Sequence, residues 1–250
     1  MPLFLLPNVL DEELSHRDFF PPNLEDIIPV LDGLIAESPK GGRRFLKRFS
    51  YPEGKSFRAV PIQLLNEHST QEELEELLEP LKRGEQWGLI ADAGLPVLAD
   101  PGSHLVMCLH ELSIPVHAFP GPSSIVYALM LSGLSAQNFA FHGYLPKRPN
   151  ELASKLKNLE KRGRYEKQTQ VFIEAPYRTE KLLRFLLETL EEDTLLSLAW
   201  NLTLPTQGVR TKTVKEWKRK PLPSLQKAPA VFLFKPRESD AKKRKTHFKR

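Results

Sequence analysis

Gly88-Leu-Ile-Ala-Asp-Ala-Gly-Leu-Pro-Val-Leu-Ala-Asp-Pro-Gly-Ser103 is the stretch of this 250-residue chain that decides its fold. Leu89, Ile90 and Ala91 form a short apolar run that stops at Asp92, the pattern of a strand buried on both faces of a parallel sheet. Asp92 then stands at the strand's carboxyl end, the edge of an open α/β sheet where loops diverge and ligands bind. The loop beyond it, with Gly94, Pro96, Pro101 and Gly102, is longer than a strand-to-helix turn requires. Ser103 is placed to cap a helix through residue 112, and residues 114–119 read as the next strand, ended by Pro120-Gly121-Pro122. Ser123 is placed to cap a helix to about residue 131, with Gly133 just past its end. Two strand ends therefore bring two small-residue loops to one place.

Working outward, residues 3–6 read as a first strand ended by Pro7-Asn8. Residues 33–37 read as a second strand that delivers Glu37 to its carboxyl end, followed by a basic helix from Gly41 to Arg48. Residues 59–65 read as a strand, and Ser69 with Glu72 as a capping box that opens a helix to about Lys82. This alternation predicts a doubly wound parallel sheet. Beyond Gly133 the expected elements are a segment at 139–144, a charged helix at 150–162, a strand at 169–174 and a helix at 180–190. Strands at 195–204, 209–214 and 230–234 follow with little helix between them, which favours a mixed sheet. The expected domains are 1–145 and 146–235, with a flexible basic tail at 236–250.

Composition sets further limits. The chain carries a single cysteine, Cys108, so an internal disulfide and a thiolate zinc site are both excluded. That usage suits a reducing compartment, and a cytoplasmic location is expected. The opening Met-Pro-Leu-Phe-Leu-Leu-Pro lacks a basic leader and is too short an apolar run for a bilayer span, so no membrane association is expected. Between residues 235 and 250 the chain holds Lys235, Arg237, Lys242, Lys243, Arg244, Lys245, Lys249 and Arg250 against Glu238 and Asp240. That excess is larger than the net +5 of the whole protein, and such a block stays solvated.

Several of these segments resemble successive motifs of one family. Asp92-Ala93-Gly94-Leu95-Pro96 with Asp100-Pro101-Gly102, Pro120-Gly121-Pro122-Ser123-Ser124, Ser132-Gly133-Leu134, Gly143-Tyr144-Leu145-Pro146 and Glu174-Ala175-Pro176-Tyr177-Arg178 are similar, in order, to those of the ribosomal RNA small subunit cytidine 2′-O-methyltransferases. That family is a branch of the tetrapyrrole (corrin/porphyrin) methylase superfamily. The resemblance implies a two-domain α/β class III methyltransferase with a parallel-sheet N-terminal domain, a mixed-sheet C-terminal domain and an active site in the cleft between them. It further implies S-adenosyl-L-methionine as donor, no metal, a homodimer, and ribosomal RNA or the small ribosomal subunit as partner. Carried over by position, Pro7, Asp92, Ala93, Gly94, Leu95, Ser123 and Ser124 would line the donor, with Ile173, Leu202, Ala228 and Pro229 from the second domain. The chain departs from the family at Pro7-Asn8-Val9, where a Gly-Asn pair is usual, at Glu37-Ser38-Pro39-Lys40 and at Trp200-Asn201-Leu202-Thr203-Leu204.

The residues themselves leave alternatives open. Asp92 either binds the donor or ties down loop amides. Glu37 either assists loss of a hydroxyl proton as general base or is an exposed loop carboxylate. Glu174 is placed to pair with Arg178, one turn away. Arg43, Arg44, Lys47 and Arg48 form either a solvated helix or a basic face suited to RNA. At the level of function, two alternatives stand beside an RNA methyltransferase: a methylase of a tetrapyrrole or other small molecule, and a relative that binds RNA without catalysis.

Overall fold

In a computed structural model, which describes residues 3–225 and 227–237, the apolar run of the decisive stretch forms the centre of a parallel sheet. Five strands build it: β1 (Leu3–Leu5), β2 (Gly33–Ala36), β3 (Ile62–Leu64), β4 (Trp87–Leu89) and β5 (Val116–Ala118). Their order is β3-β2-β4-β1-β5 and every pairing is parallel. Between them run α1 (Leu24–Ile27), α2 (Pro39–Leu46), α3 (Gln71–Lys82) and α4 (Ser103–Glu111).

Both faces of this sheet are covered at its central strands β2 and β4, as their apolar runs require. On β2, Leu34 and Ala36 enter one core with Leu6, Phe20, Phe45 and Phe119. Ile35, between them, enters the opposite core with Leu77, Trp87, Leu89 and Leu105. On β4 the place between Trp87 and Leu89 is Gly88, where a Cβ atom would lie 2.5 Å from Leu6 Cδ1. The glycine is there because Leu6 fills the space a side chain would take.

The second unit holds α5 (Ser124–Ser132), β6 (Phe139–Tyr144), α6 (Pro149–Glu166), β7 (Thr169–Glu174), α7 (Thr179–Thr189), β8 (Leu195–Trp200), β9 (Gly208–Thr213), α8 (Val214–Lys218) and β10 (Ala230–Lys235). Its sheet runs β6-β7-β10-β8-β9. The β6–β7 pair is parallel and the others antiparallel, so the sheet is mixed, as expected. Phe172 and Phe232 are cross-strand neighbours in register, with rings stacked at 5.4 Å between centroids. Trp217 fills the same core and donates its indole N–H to Leu196 O at 2.9 Å.

Several boundaries differ from the expected ones, each for a local reason. The units meet at Ser123 and Ser124 instead of residues 145 and 146, because α5 packs on β8, β9 and β10 and β6 pairs with β7. The capping box of α3 is Thr70 with Glu73, while Ser69 Oγ is taken by the Asn66 amide. The strand expected at 59–65 shortens to Ile62–Leu64, since Ser56 and Ala59 close a turn. Ser103 is the first helical residue of α4 behind an N-cap at Gly102. β8 stops at Trp200 because Asn201 and Thr203 are left-handed, with φ of 48° and 75°. Most of the basic tail, residues 238–250, lies outside the described residues.

Phe232 is fully buried, so Phe232→Ala is expected to cost the second unit about 3–5 kcal/mol of stability. A urea titration that finds less than about 1 kcal/mol would contradict this packing.

Candidate functional site

In the first unit a single buried side chain gathers the strand ends. Asn8 follows β1 and forms an antiparallel bridge with Gly94, its amide donating to Gly94 O at 2.7 Å and its carbonyl accepting from Gly94 N at 3.1 Å. Its side-chain Nδ2 donates to Ala91 O at 2.9 Å and Asp92 O at 3.0 Å, while Oδ1 accepts from Val9 N at 2.9 Å. These bonds fasten the loop after β4 to the loop after β1. The 119–122 segment joins them: a Cβ on Gly121 would lie 2.1 Å from Pro7 Cβ and 3.4 Å from Leu95 Cδ2. Pro7, Gly94, Leu95 and the Pro120-Gly121-Pro122 turn thus converge, with Ser123 buried behind them and Asp92 and Ala93 exposed at the tip.

The loop from 92 to 102 carries four left-handed residues, Gly94, Val97, Ala99 and Gly102, with φ of 79°, 71°, 73° and 127°. For the β-branched Val97 this is strained backbone.

Glu37 lies just past β2 and accepts the Asp92 backbone N–H through Oε1 at 2.9 Å. Ser38 caps α2 by accepting Gly41 N at 3.0 Å, and a Cβ on Gly41 would sit 2.6 Å from Asp92 Oδ1. The start of α2 therefore presses against Asp92, and glycine makes that approach possible. Burial raises the Glu37 pKa above the usual carboxylate range; the Asp92 amide opposes this, while the charges of Asp92 and Glu67 add to it. Asp100 is pushed up to about 6 by burial, then by the charges of Glu37 and Asp92. The three carboxylates form a region of negative potential, though none of the described residues make a cluster of His, Cys, Asp or Glu suited to a metal ion.

The expected residues of the second unit gather at one end of its sheet. Ile173, half-buried near the end of β7, pairs in register with Val231. Leu202 is buried beyond β8, where Asn201 N donates to Pro229 O at 3.1 Å. Ala228 O accepts from Thr179 Oγ1 at 3.2 Å, and Ser124 opens α5. Glu174 is almost wholly buried, accepts Ala175 N at 2.8 Å and lies 3.2 Å from the Arg178 guanidinium, the expected ion pair.

Two features were not drawn from the sequence. Asn8 is the clamp of the site, signalled only by an amide side chain directly after a strand-ending proline. The basic helix is also divided in its roles, because Arg43 is used structurally, donating to Phe57 O at 2.8 Å and Val60 O at 2.6 Å.

The family model of the tetrapyrrole (corrin/porphyrin) methylases matches residues 30–218. Among curated proteins, a ribosomal RNA small subunit methyltransferase I from Haemophilus influenzae is 34% identical over 160 residues, 63% of this chain and 55% of that protein. The same-named protein of Escherichia coli O157:H7 is 33% identical over 76% of this chain and 63% of its own length. That of Thermotoga maritima is 32% identical over 66% of this chain and 72% of its own. The chain thus spans little more than half the length of the first of these relatives. Among solved structures, the methyltransferase CobJ superposes with a TM-score of 0.60 at 14% identity, covering 94% of both chains, a likeness of fold. Matched by the family model over most of its length and by relatives above 30% identity, the chain belongs to the tetrapyrrole (corrin/porphyrin) methylase superfamily, in its ribosomal RNA small subunit methyltransferase branch.

Proposed function

We propose that the chain transfers a methyl group from S-adenosyl-L-methionine to ribosomal RNA, at a ribose 2′-hydroxyl of a small-subunit nucleotide, and that it works as a homodimer. The observation that carries this reading is the convergence of three loop tips under Asn8, with the Asp92 carboxylate exposed at the tip. The substrate class is that of the relatives, which are ribosomal RNA small subunit methyltransferases by name. The exposed Met130 and Leu131 on α5 offer apolar surface for the second copy.

The first unit's groups fit this donor by charge and by hydrogen-bonding capacity. Glu37, Asp92 and Asp100 favour a cation, and with the Asp92 and Gly94 backbone engaged by Glu37 and Asn8, the backbone groups of Ala93 and Leu95 remain for its polar parts. When bound, the donor supplies a methyl carbon already attached to a good leaving group. The protein's share of the work is therefore alignment and exclusion of water, which contributes roughly 7–11 kcal/mol in favourable intramolecular models. Glu37 Oε1 is engaged with the Asp92 amide, so Glu37 acts first by positioning that loop; service as general base would fall to its other oxygen. The direct test maps methylated nucleosides along small-subunit RNA from cells with and without the protein. Loss of one 2′-O-methyl group supports the reading and an unchanged map overturns it.

Glu37→Gln keeps an acceptor for the Asp92 amide, whereas Glu37→Ala removes it. Calorimetric titration with S-adenosyl-L-methionine is expected to show near-wild-type affinity for the first and a loss of at least about tenfold for the second. Asp92→Ala is expected to abolish donor binding; unchanged affinity would sink its assignment.

The raised Asp100 pKa also has a sign. Between its ordinary 3.8 and about 6 the folded chain holds a proton that the unfolded chain releases, so this group's stabilising contribution is present in acid and lost as pH rises through about 6. Asp100→Asn is expected to raise the denaturation midpoint at pH 7.5 and to leave it nearly unchanged at pH 4.

A further inference from the structure

We propose that the pocket beside α2 receives a phosphate of the RNA strand, which replaces the Glu12 carboxylate on Arg44. The inference rests on RNA being the substrate and assigns where its backbone is gripped.

The pocket encloses about 400 Å³, within the roughly 300–1,000 Å³ of small-ligand sites. Lys40, Arg44 and Arg48 are among its lining residues, together with Asp92 and Ala93. Lys40 and Arg44 stand four residues apart on α2 and so share one side of it, while Arg48 lies in the turn just past its end. Arg43, one position away, is instead spent on the Phe57 and Val60 carbonyls.

The existing contacts point to an anion site. Arg44 is paired with Glu12, so a carboxylate already occupies the place an anion would take. That pair is exposed on both sides, 37% at Arg44 and 65% at Glu12, and exposed pairs contribute little. Arg48 is held in place by backbone carbonyls, donating to Leu14 O at 2.8 Å and Glu12 O at 3.1 Å. Its Nε is buried with no hydrogen-bond partner among the described residues. Burial and the nearby Arg44 charge both press its pKa down, as expected of two cations brought close without full compensation. The other acid on this side, Asp11, spends Oδ1 on the Glu13 amide. Like the carboxylate it would replace, a phosphate matches the planar guanidinium through paired charge-assisted bonds, and the exposed Glu12 is a weak competitor for that place.

Nucleotide chemistry ties the cations of the pocket to Asp92 and Ala93. A ribose 2′-hydroxyl sits on the carbon next to the one that carries the 3′-phosphate. A nucleotide that turns its 2′-oxygen toward Asp92 and Ala93 therefore brings a phosphate along within the same pocket. The Asp92 carboxylate suits the donor cation and the Lys40, Arg44 and Arg48 side chains suit the phosphodiester.

The test measures binding to small ribosomal subunits purified from cells lacking the protein, across a salt series, for the wild type, the Lys40→Ala/Arg44→Ala double variant and Glu12→Gln. The double variant is expected to bind about tenfold more weakly, with the slope of log K against log salt reduced by about one to two, and with S-adenosyl-L-methionine affinity unchanged. Glu12→Gln, a surface change that frees Arg44, is expected to bind several-fold more tightly. If the wild type binds and all three proteins show the same affinity and slope, the inference is overturned. Loss of donor affinity in the double variant would assign the pocket to the donor instead and overturn it as well. If the wild type binds neither subunits nor their RNA, the substrate reading fails and takes the inference with it.

Discussion

The site depends on one side chain amide. Asn8 presents a donor pair and an acceptor where two loops leave neighbouring strands, and its Nδ2 and Oδ1 bond to Ala91, Asp92 and Val9. A buried amide is costly unless its hydrogen-bonding capacity is used, and here the satisfying partners are the backbone groups that must be fixed. The cost of burying a polar group is thereby turned into a specification of loop geometry. Neither an aliphatic residue nor a carboxylate supplies both a donor and an acceptor in that position.

Around this clamp the parallel sheet provides a rigid base. Leu34 and Ala36 point into one core and Ile35 into the other, so a shift of register by one residue would exchange the two sets. Gly88 leaves room for Leu6, which fixes β1 beside β4 and so fixes where Asn8 emerges. The second unit has its own core, built on the Phe172–Phe232 pair and Trp217. Each unit therefore has the internal packing to hold its own loop ends in place.

Much of the architecture was legible because parallel strands buried on both faces read as apolar runs, and because Gly-Pro clusters mark their ends. The strand at 169–174, ended by Ala-Pro, was legible to the residue, and the aromatic segment at 139–144 proves to be the edge strand paired with it. Boundaries set by tertiary contacts were less accessible. Nothing local tells whether α5 sides with the strand before it or with the sheet after it, and packing on β8, β9 and β10 decides. Ser69 and Thr70 are both competent caps, and a competing bond to Asn66 selects Thr70. The loop residues at 92–95 were visible as a motif. The partner that holds Asp92 is 84 residues away in sequence, beyond the reach of any spacing argument.

The left-handed residues of the 92–102 loop give the site a temporal character. Val97 and Ala99 occupy conformations that cost on the order of 1–3 kcal/mol each, held between the Asn8 clamp at one end and α4 at the other. A segment under such tension behaves as a spring anchored at both ends. Relaxing either residue would release energy of that order, whereas no described residue in the strands of the parallel sheet is left-handed.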